Sequence, residues 1–483
     1  MSEAFKPPRR GVGLVYTPLL HRMFIEHADF IDVAEIEPQT GWMATDPIDG
    51  PFQQVEGIHR LWSALPQHRL LHSVAMPLAG LRPPAPAQMP LLSSLATEFG
   101  CSYVSEHLSV GGTPHQHAGF LLPPRQSEAG VAIAARNIRA LADGIGLPVA
   151  VETGVSYLPR FAGEMADGDY VRAVAEAADC GILFDIHNIY CNERNGRQSL
   201  DDFAAALPAG RVWELHVAGG DERDGYWLDA HSGMPPDDLL AAAHRLVRGF
   251  PAISAIIFEI YPSFLNNDSG AVLQRALGML HELWSKVGTS TGDGDLRQMP
   301  KASHDPDAGP DPSNWEQGLT EAIRFRLPST FGDDLALRPP LELYNMLAHS
   351  FRASSIIGLL PRSLRLLNLT GKDIEAAVLE FEHDVSPQLF ALNEAEAFRA
   401  WAEARRDPFH PLLVPVIDYE IALIRVPLSG LPIVVTFTGD PQPLFEALAE
   451  GRPVPDRLEG APWEIEITPD AMEDRPANGL MVS

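Results

Sequence analysis

The sequence predicts an α/β chain: a (β/α)8 barrel followed by a smaller α+β C-terminal domain. Three observations predict it. Over the first 285 residues, short apolar runs of strand length recur at nearly even spacing, and stretches with helical patterning lie between most of them. Past that point the composition changes abruptly, and a differently patterned region follows. In order, the runs are GVGLVYTP from Gly11, FIDVAEIEP from Phe30, LLHSVAMP from Leu70 and YVSEHLSV from Tyr103. PVAVETG from Pro148, GILFDIHN from Gly181, VWELHVAGG from Val212 and AIIFEIYP from Ala255 complete them. Each is rich in β-branched residues or leucine and ends in a turn or polar signal. Stretches such as SEAGVAIAARNIRALADGIG and DDLLAAAHRLVRGF supply the helices. Strand and helix alternating over roughly 250 residues imply parallel βα units, and eight of them close a barrel. An open doubly wound sheet would carry a glycine-rich phosphate loop after its first strand; here Gly11 to Gly13 lie within or before that strand.

From 286 to 313 the chain is dense in Gly, Pro, Ser and Asp without apolar periodicity, which reads as a flexible linker between a domain at 1–285 and another at 314–483. Asn314 to Asp407 reads as helical, with KDIEAAVLEFEHDV and NEAEAFRAWAEARRD placing apolar residues at three- and four-residue steps. The segments YEIALIRVP, LPIVVTFTG and PWEIEITPD read as strands of a small appended sheet.

Composition narrows the function. Lys+Arg of 36 against Asp+Glu of 64 leaves a net charge of −28, a field that repels phosphate backbones and argues against a nucleic-acid partner. Three cysteines, Cys101, Cys180 and Cys191, with no C-x-x-C pair exclude a disulfide scaffold and a zinc ribbon and suit a reducing compartment. The basic start MSEAFKPPRR has no apolar segment behind it, and no apolar run approaches bilayer length, so a cytoplasmic chain without membrane contact is expected.

In such a barrel the residues at the C-terminal ends of the strands share one mouth. Those positions hold His72, Glu106 with His107, Glu152, Asp185 with His187 and Asn188, His216, and Glu259; Asp229 and His231 follow strand seven in a D-x-H step. A single strand-end carboxylate more simply caps the next helix or pairs with an arginine. Carboxylates gathered in one mouth, however, repel unless a cation sits among them, and histidine with carboxylate but no thiolate suits iron, manganese or zinc. The ligands outnumber what one ion needs. His59, His68, His115, His117, His244 and His281 lie off the strand ends and read as surface or core residues, and Cys101 reads as packed. Tyr16, Trp42 and Tyr190 sit near strand ends, where groove lining and barrel packing explain them equally well.

The segments SEHL at Ser105, VETGVSYL with Glu152, FDIHNIYCN from Phe184, ELHVAGG around His216, LDAH from Leu228 and FEI around Glu259 together resemble the multinuclear non-haem iron-dependent oxidases, the group that includes the methanobactin synthase catalytic subunit. The likeness spans most of residues 10 to 285. It implies a TIM barrel with two or three irons that uses dioxygen to modify side chains, most often cysteine, in ribosomally made precursor peptides. Carried over, Glu152, Asp185, His216 and Glu259 would hold one iron and carry catalysis; His72 and His107 would hold a second with Glu152 bridging; His187, Asp229 and His231 would supply a third position.

The chain also departs from that pattern. Gly220 stands where the H-x-A-G-H motif has its second histidine, His187-Asn188 replaces the usual Asn-Asn, and Ile260 and Tyr261 stand where an acidic residue often follows the last glutamate ligand. The C-terminal region, with helices, then an H-P-L-L-x-P-V-I-D-Y-E-like step from His410 to Glu420, then strands, resembles the partner proteins that present peptide to these oxidases. A fused partner would make a separate subunit unnecessary, since the linker sets a high local concentration. Two other functions fit the barrel: a divalent-metal sugar isomerase or hydrolase, which needs no dioxygen, and a non-catalytic peptide-binding scaffold.

Overall fold

The computed structural model describes residues 5–44, 50–261, 264, 269–289, 311–325, 337–388, 390–405 and 409–469. Eight parallel strands close a barrel: β1 (Gly11–Val15), β2 (Val33–Ile36), β3 (His68–Ser73), β4 (Val104–His107), β5 (Val149–Glu152), β6 (Gly181–Asp185), β7 (Val212–Ala218) and β8 (Ala255–Glu259). Each strand pairs with its sequence neighbours, and closure comes from β1 on β8, Gly11 opposite Ala255 through Leu14 opposite Phe258. The eight predicted runs are the eight barrel strands. β5, β6 and β8 are buried along their whole length, as expected of parallel strands covered by helices outside and side chains inside. The helix Glu128–Ile145 is capped by Ser127, whose hydroxyl accepts from Gly130 N–H, and ends on Gly146 in the left-handed conformation.

At the N-terminal end of the strands the barrel interior is filled by Val33, Leu70, Tyr103, Ala150, Trp213, Ala255 and Ile257. This plug forces the polar strand ends into the opposite mouth. Gly181 makes room for it: a Cβ there would lie 2.0 Å from Cε3 of Trp213.

The linker expected over 286–313 falls largely on residues 290–310, outside those described. From Pro312 onward a C-terminal extension of helices follows, including Pro312–Phe325, Arg338–Leu359, Ala391–Ala404 and Leu413–Ser429, with an antiparallel pair, Ile433–Phe437 on Trp463–Ile467. One expectation is corrected here. YEIALIRVP is not a strand but the second half of the helix Leu413–Ser429. Leu413, the adjacent pair Val416 and Ile417, Ile421 and Val426 are buried on one helical face against Phe381, Phe398 and Phe437, and Gly430 caps the end. The run of β-branched residues hides a helical face that only the longer window shows.

The extension has this core of its own, and it also packs on the barrel. Trp315, Leu319, Leu343 and Tyr344 share one apolar cluster with Val110, Leu122, Tyr157, Leu158 and Leu228 from the loops after β4, β5 and β7. Trp315 Nε1 donates to Pro123 O at 2.9 Å, and Leu81 N–H to Glu316 Oε1 at 2.7 Å. Among the described residues no helix is long and apolar enough to cross a membrane.

Candidate metal centre

Alternation along each strand decides which side chains reach the mouth. His107 points inward, so its neighbour Glu106 points out, where it accepts from Ser73 Oγ at 2.7 Å and Met76 N at 2.9 Å. Registry across neighbouring strands then sets His107 opposite Glu152 and Asp185 opposite His216. The inward set is nearly closed to solvent, with His72, Glu152, Asp185, His187 and His216 all buried.

Three groups of potential ligands share this mouth. In the first, His72 Nε2 and His107 Nε2 lie 3.1 and 3.0 Å from the same oxygen, Glu152 Oε2. Ser105 Oγ, 3.0 Å from His72 Nδ1, and Glu106 Oε1, 3.2 Å from His107 Nδ1, occupy the far nitrogens and leave the Nε2 atoms facing inward. The second group is Glu152, Asp185 and His216, and the third is Asp185, His231 and Glu259. Glu259 joins them, with Oε1 2.9 Å from His216 Nδ1 and Oε2 3.1 Å from His231 Nε2. Glu152 and Asp185 each belong to two groups. Asp185 also caps the helix Ile186–Arg194 through Oδ1, which accepts from Asn188 N–H at 2.7 Å, while its Oδ2 is buried without a partner. One oxygen of that carboxylate caps the helix, and the other faces the mouth without a hydrogen-bond partner.

The remaining expected residues fall close by. Asp229 Oδ1 lies 2.9 Å from His231 Nε2 and accepts from His187 Nδ1 at 3.0 Å. His187 does not join a ligand group among the described residues; it holds Asp229 from behind, and its Nε2 accepts from Trp227 Nε1 at 3.4 Å. Its ring fills the space of a side chain at position 220, where a Cβ would lie 2.6 Å from His187 Nε2. The histidine absent at 220 therefore has its volume supplied from 187. Of the histidines off the strand ends, none joins the groups. Tyr190 donates to Asp238, Trp42 to Gln54, and burial pushes the Cys101 thiol up to about 12.

Sequence reasoning missed Glu35 and Glu214. Glu35 Oε2 lies 3.0 Å from His216 Nε2, and Glu35, Glu214 and His216 form a fourth, fully buried group. The signal was present: a glutamate inside an apolar strand, in step with an inward residue, as Glu214 is with His216 two positions on.

Charge in the mouth is unbalanced. Burial, and then the charges of Glu259, Glu152 and Asp229, push Asp185 well above the usual carboxylate range. Burial is the largest single effect and works against the histidine charges, but the surrounding carboxylates together outweigh it: Glu152, Glu106 and Glu259 at His107, pushed up to about 9, and Asp229, Glu259 and Asp185 at His231, pushed up to about 10. The residues fit cations. Glu35 Oε1 and Oε2, Glu152 Oε2, Asp185 Oδ2, His216 Nδ1 and Nε2, and His231 Nε2 are buried without a hydrogen-bond partner. Their close pairs are spaced by 2.9–3.1 Å yet are not aligned as hydrogen bonds, so the lone pairs converge on shared points rather than on each other. Ligands about 2.1 Å from an ion, at right angles to one another, would lie about 3.0 Å apart. The donor set is nitrogen and oxygen throughout, as intermediate and hard divalent ions prefer.

A family described as RiPP precursor modification enzyme MbnB/TglH/ChrH matches residues 11–260, more than half of the 483. A UPF0276 protein from Chromobacterium violaceum is 28% identical over 222 residues, 45% of this chain and 79% of the relative. Another, from Neisseria gonorrhoeae, is 36% identical over 189 residues, 38% of this chain and 66% of the relative. Among solved structures, the IOLI protein with a bound zinc atom aligns with 57% of this chain and 98% of its own at 13% identity and a TM-score of 0.39, a level that carries no argument about chemistry.

Proposed function

The chain belongs to the MbnB/TglH/ChrH family of RiPP precursor modification enzymes, and from that premise we propose that it is a multinuclear non-haem iron-dependent oxidase. In this reading it uses dioxygen to modify side chains, cysteine above all, of a ribosomally made precursor peptide. The observation that carries the reading is the sharing of Glu152 and Asp185 among three His/carboxylate groups in one mouth, a layout suited to two or three ions rather than one. His72, His107 and Glu152 would hold one ion; Glu152, Asp185 and His216 a second; Asp185, His231 and Glu259 a third, with Asp229 beside it.

Bound iron supplies electrons to dioxygen and a Lewis-acidic point for a substrate thiolate. The chain's own residues do the rest. Ser105 and Glu106 fix the ring orientation of His72 and His107, so each presents one nitrogen inward. Asp185 keeps one oxygen on the helix N-terminus and offers the other to the mouth. Tyr261 is half-exposed and stacked on the His231 ring at 4.8 Å, and in this reading it would line the peptide's approach. The division into a catalytic domain at 1–285, a linker at 286–313 and a partner-like domain at 314–483 belongs to the same proposal, with the last presenting peptide and replacing a separate subunit.

The test is metal analysis with electron paramagnetic resonance on protein purified without oxygen. Two or more irons per chain with a coupled signal are expected, and Glu152→Ala is expected to remove metal and air-dependent turnover together. One zinc or manganese per chain would direct the reading to isomerase or hydrolase chemistry instead. Full metal and turnover in Glu152→Ala would sink it.

A further inference from the structure

The segment that carries Asp229 and His231 is sandwiched. From Tyr226 to His231 the side chains alternate between two environments. Tyr226, Leu228 and Ala230 pack into the apolar cluster that the extension builds with Trp315, Leu319, Leu343 and Tyr344. Trp227, Asp229 and His231 face the other way, toward His187 and Glu259. A two-step hydrogen-bond path runs along the same boundary. Tyr157 N–H donates to Tyr344 Oη at 3.1 Å, and Asp229 N–H donates to Tyr157 Oη at 3.2 Å. Both phenols are buried, and their rings meet edge to face at 5.3 Å. His231 has a φ of 45°, in the left-handed region that residues other than glycine occupy uncommonly even though His visits it more than most, so packing on both sides helps to hold the segment in this shape.

We propose that the C-terminal extension is part of the metal centre's construction: Tyr344, acting through Tyr157, positions Asp229 and His231, and the third ligand group is fully formed only with the extension docked. The effect on ions rests on the iron reading above; the clamp itself does not. A group that orients a ligand from behind typically alters metal affinity by about 10–100-fold. Tyr344 and Tyr157 act through the backbone of Tyr157 and Asp229 rather than through a ligand atom, so both are positioning residues.

The experiment uses the full chain and three variants. Tyr344→Phe keeps the ring and removes the acceptor for Tyr157 N–H; Tyr157→Phe removes the acceptor for Asp229 N–H; Tyr344→Ala removes both packing and oxygen. Amide hydrogen exchange is measured on the metal-free proteins, and iron(II) binding is measured without oxygen. Exchange over 226–231 is expected to quicken in Tyr157→Phe and Tyr344→Ala, with Tyr344→Phe between them and wild type. The peptides of β5, β6 and β7 are expected to stay protected. One class of iron is expected to bind about 10–100-fold more weakly while the others keep their affinity. Wild-type exchange and iron binding in both Tyr157→Phe and Tyr344→Ala would overturn the proposal, as would uniform loosening of the barrel strands with no preference for 226–231. If wild type takes up no iron, the oxidase reading falls, while the exchange measurement still decides the clamp.

Discussion

Exchanging the residues at positions 187 and 220 tests how this mouth is filled. A Cβ on residue 220 would lie 2.6 Å from His187 Nε2, 2.5 Å from Leu228 O and 2.7 Å from Trp227 Nε1. Ordinary contacts start at 3.4 Å, so even a methyl group must push the His187 ring by about 0.8 Å, in a core packed too closely to yield freely. Gly220→Ala alone is therefore expected to cost about 1–3 kcal/mol. His187→Asn alone leaves unfilled volume and removes the imidazole donor at 3.0 Å from Asp229 Oδ1, a loss of about 2–4 kcal/mol. The double variant His187→Asn/Gly220→His returns an imidazole to the same space from the opposite wall. It is expected to recover about 1–3 kcal/mol relative to the sum of His187→Asn and Gly220→His, the range found for residues that share one site. The assay is chemical denaturation of wild type, both single variants and the double variant in metal-free form, with iron per chain measured in parallel. Additive losses, with the double variant as weak as the two single changes summed, would refute the idea that the two positions contend for one space.

Three further outcomes are expected. Burial of a partnerless oxygen pushes Glu316 from 4.5 up to about 7, against the opposing effects of Leu81 N–H, Arg136 and Arg82. The folded chain then holds more protons than the unfolded one between pH about 4.5 and 7, so stability falls as pH rises through that window. After discounting for partial solvent access the change is about 1–2 kcal/mol, and Glu316→Gln should flatten it in urea melts at pH 5 and 7.5; an unaltered slope would remove Glu316 as its cause. Glu35→Gln should leave the barrel folded but weaken metal retention against a chelator by about 10–100-fold, because Glu35 sits on the far nitrogen of His216 at 3.0 Å. Gly181→Ala drives a methyl into Trp213 and should cost about 3 kcal/mol; a melting temperature equal to wild type would show that the indole moves aside without strain.

The barrel was legible because its signal is local and repeated: eight apolar runs, buried over most of their length, separated by amphipathic stretches. The polar strand ends were legible for the same reason, since parity along β4 and β5 alone brings His107 and Glu152 to one wall. Glu35 and Glu214 escaped notice because attention to strand ends overlooks a charge one step deeper, where burial makes it more telling rather than less. The second half of the helix Leu413–Ser429 reads as strand because Ile421, Ile424 and Val426 stand out in a nine-residue window, about two and a half turns, too short to show the helical face. How the extension meets the barrel was not legible at all. The contact between Leu81 and Glu316 spans 235 residues, and no periodicity encodes which surfaces meet across such a distance.

The apolar cluster shared by barrel loops and extension also sets a schedule for synthesis. Leu122, Tyr157 and Leu228 leave the ribosome well before the helix Arg338–Leu359 that covers them. About 90 residues separate the end of β8 from the middle of that helix, a wait of roughly 5–20 s at ordinary elongation rates. During that interval a closed barrel carries an apolar face on the rim of its mouth that the helix Pro312–Phe325 covers only in part, exposed surface of the kind that makes a folding intermediate prone to aggregate.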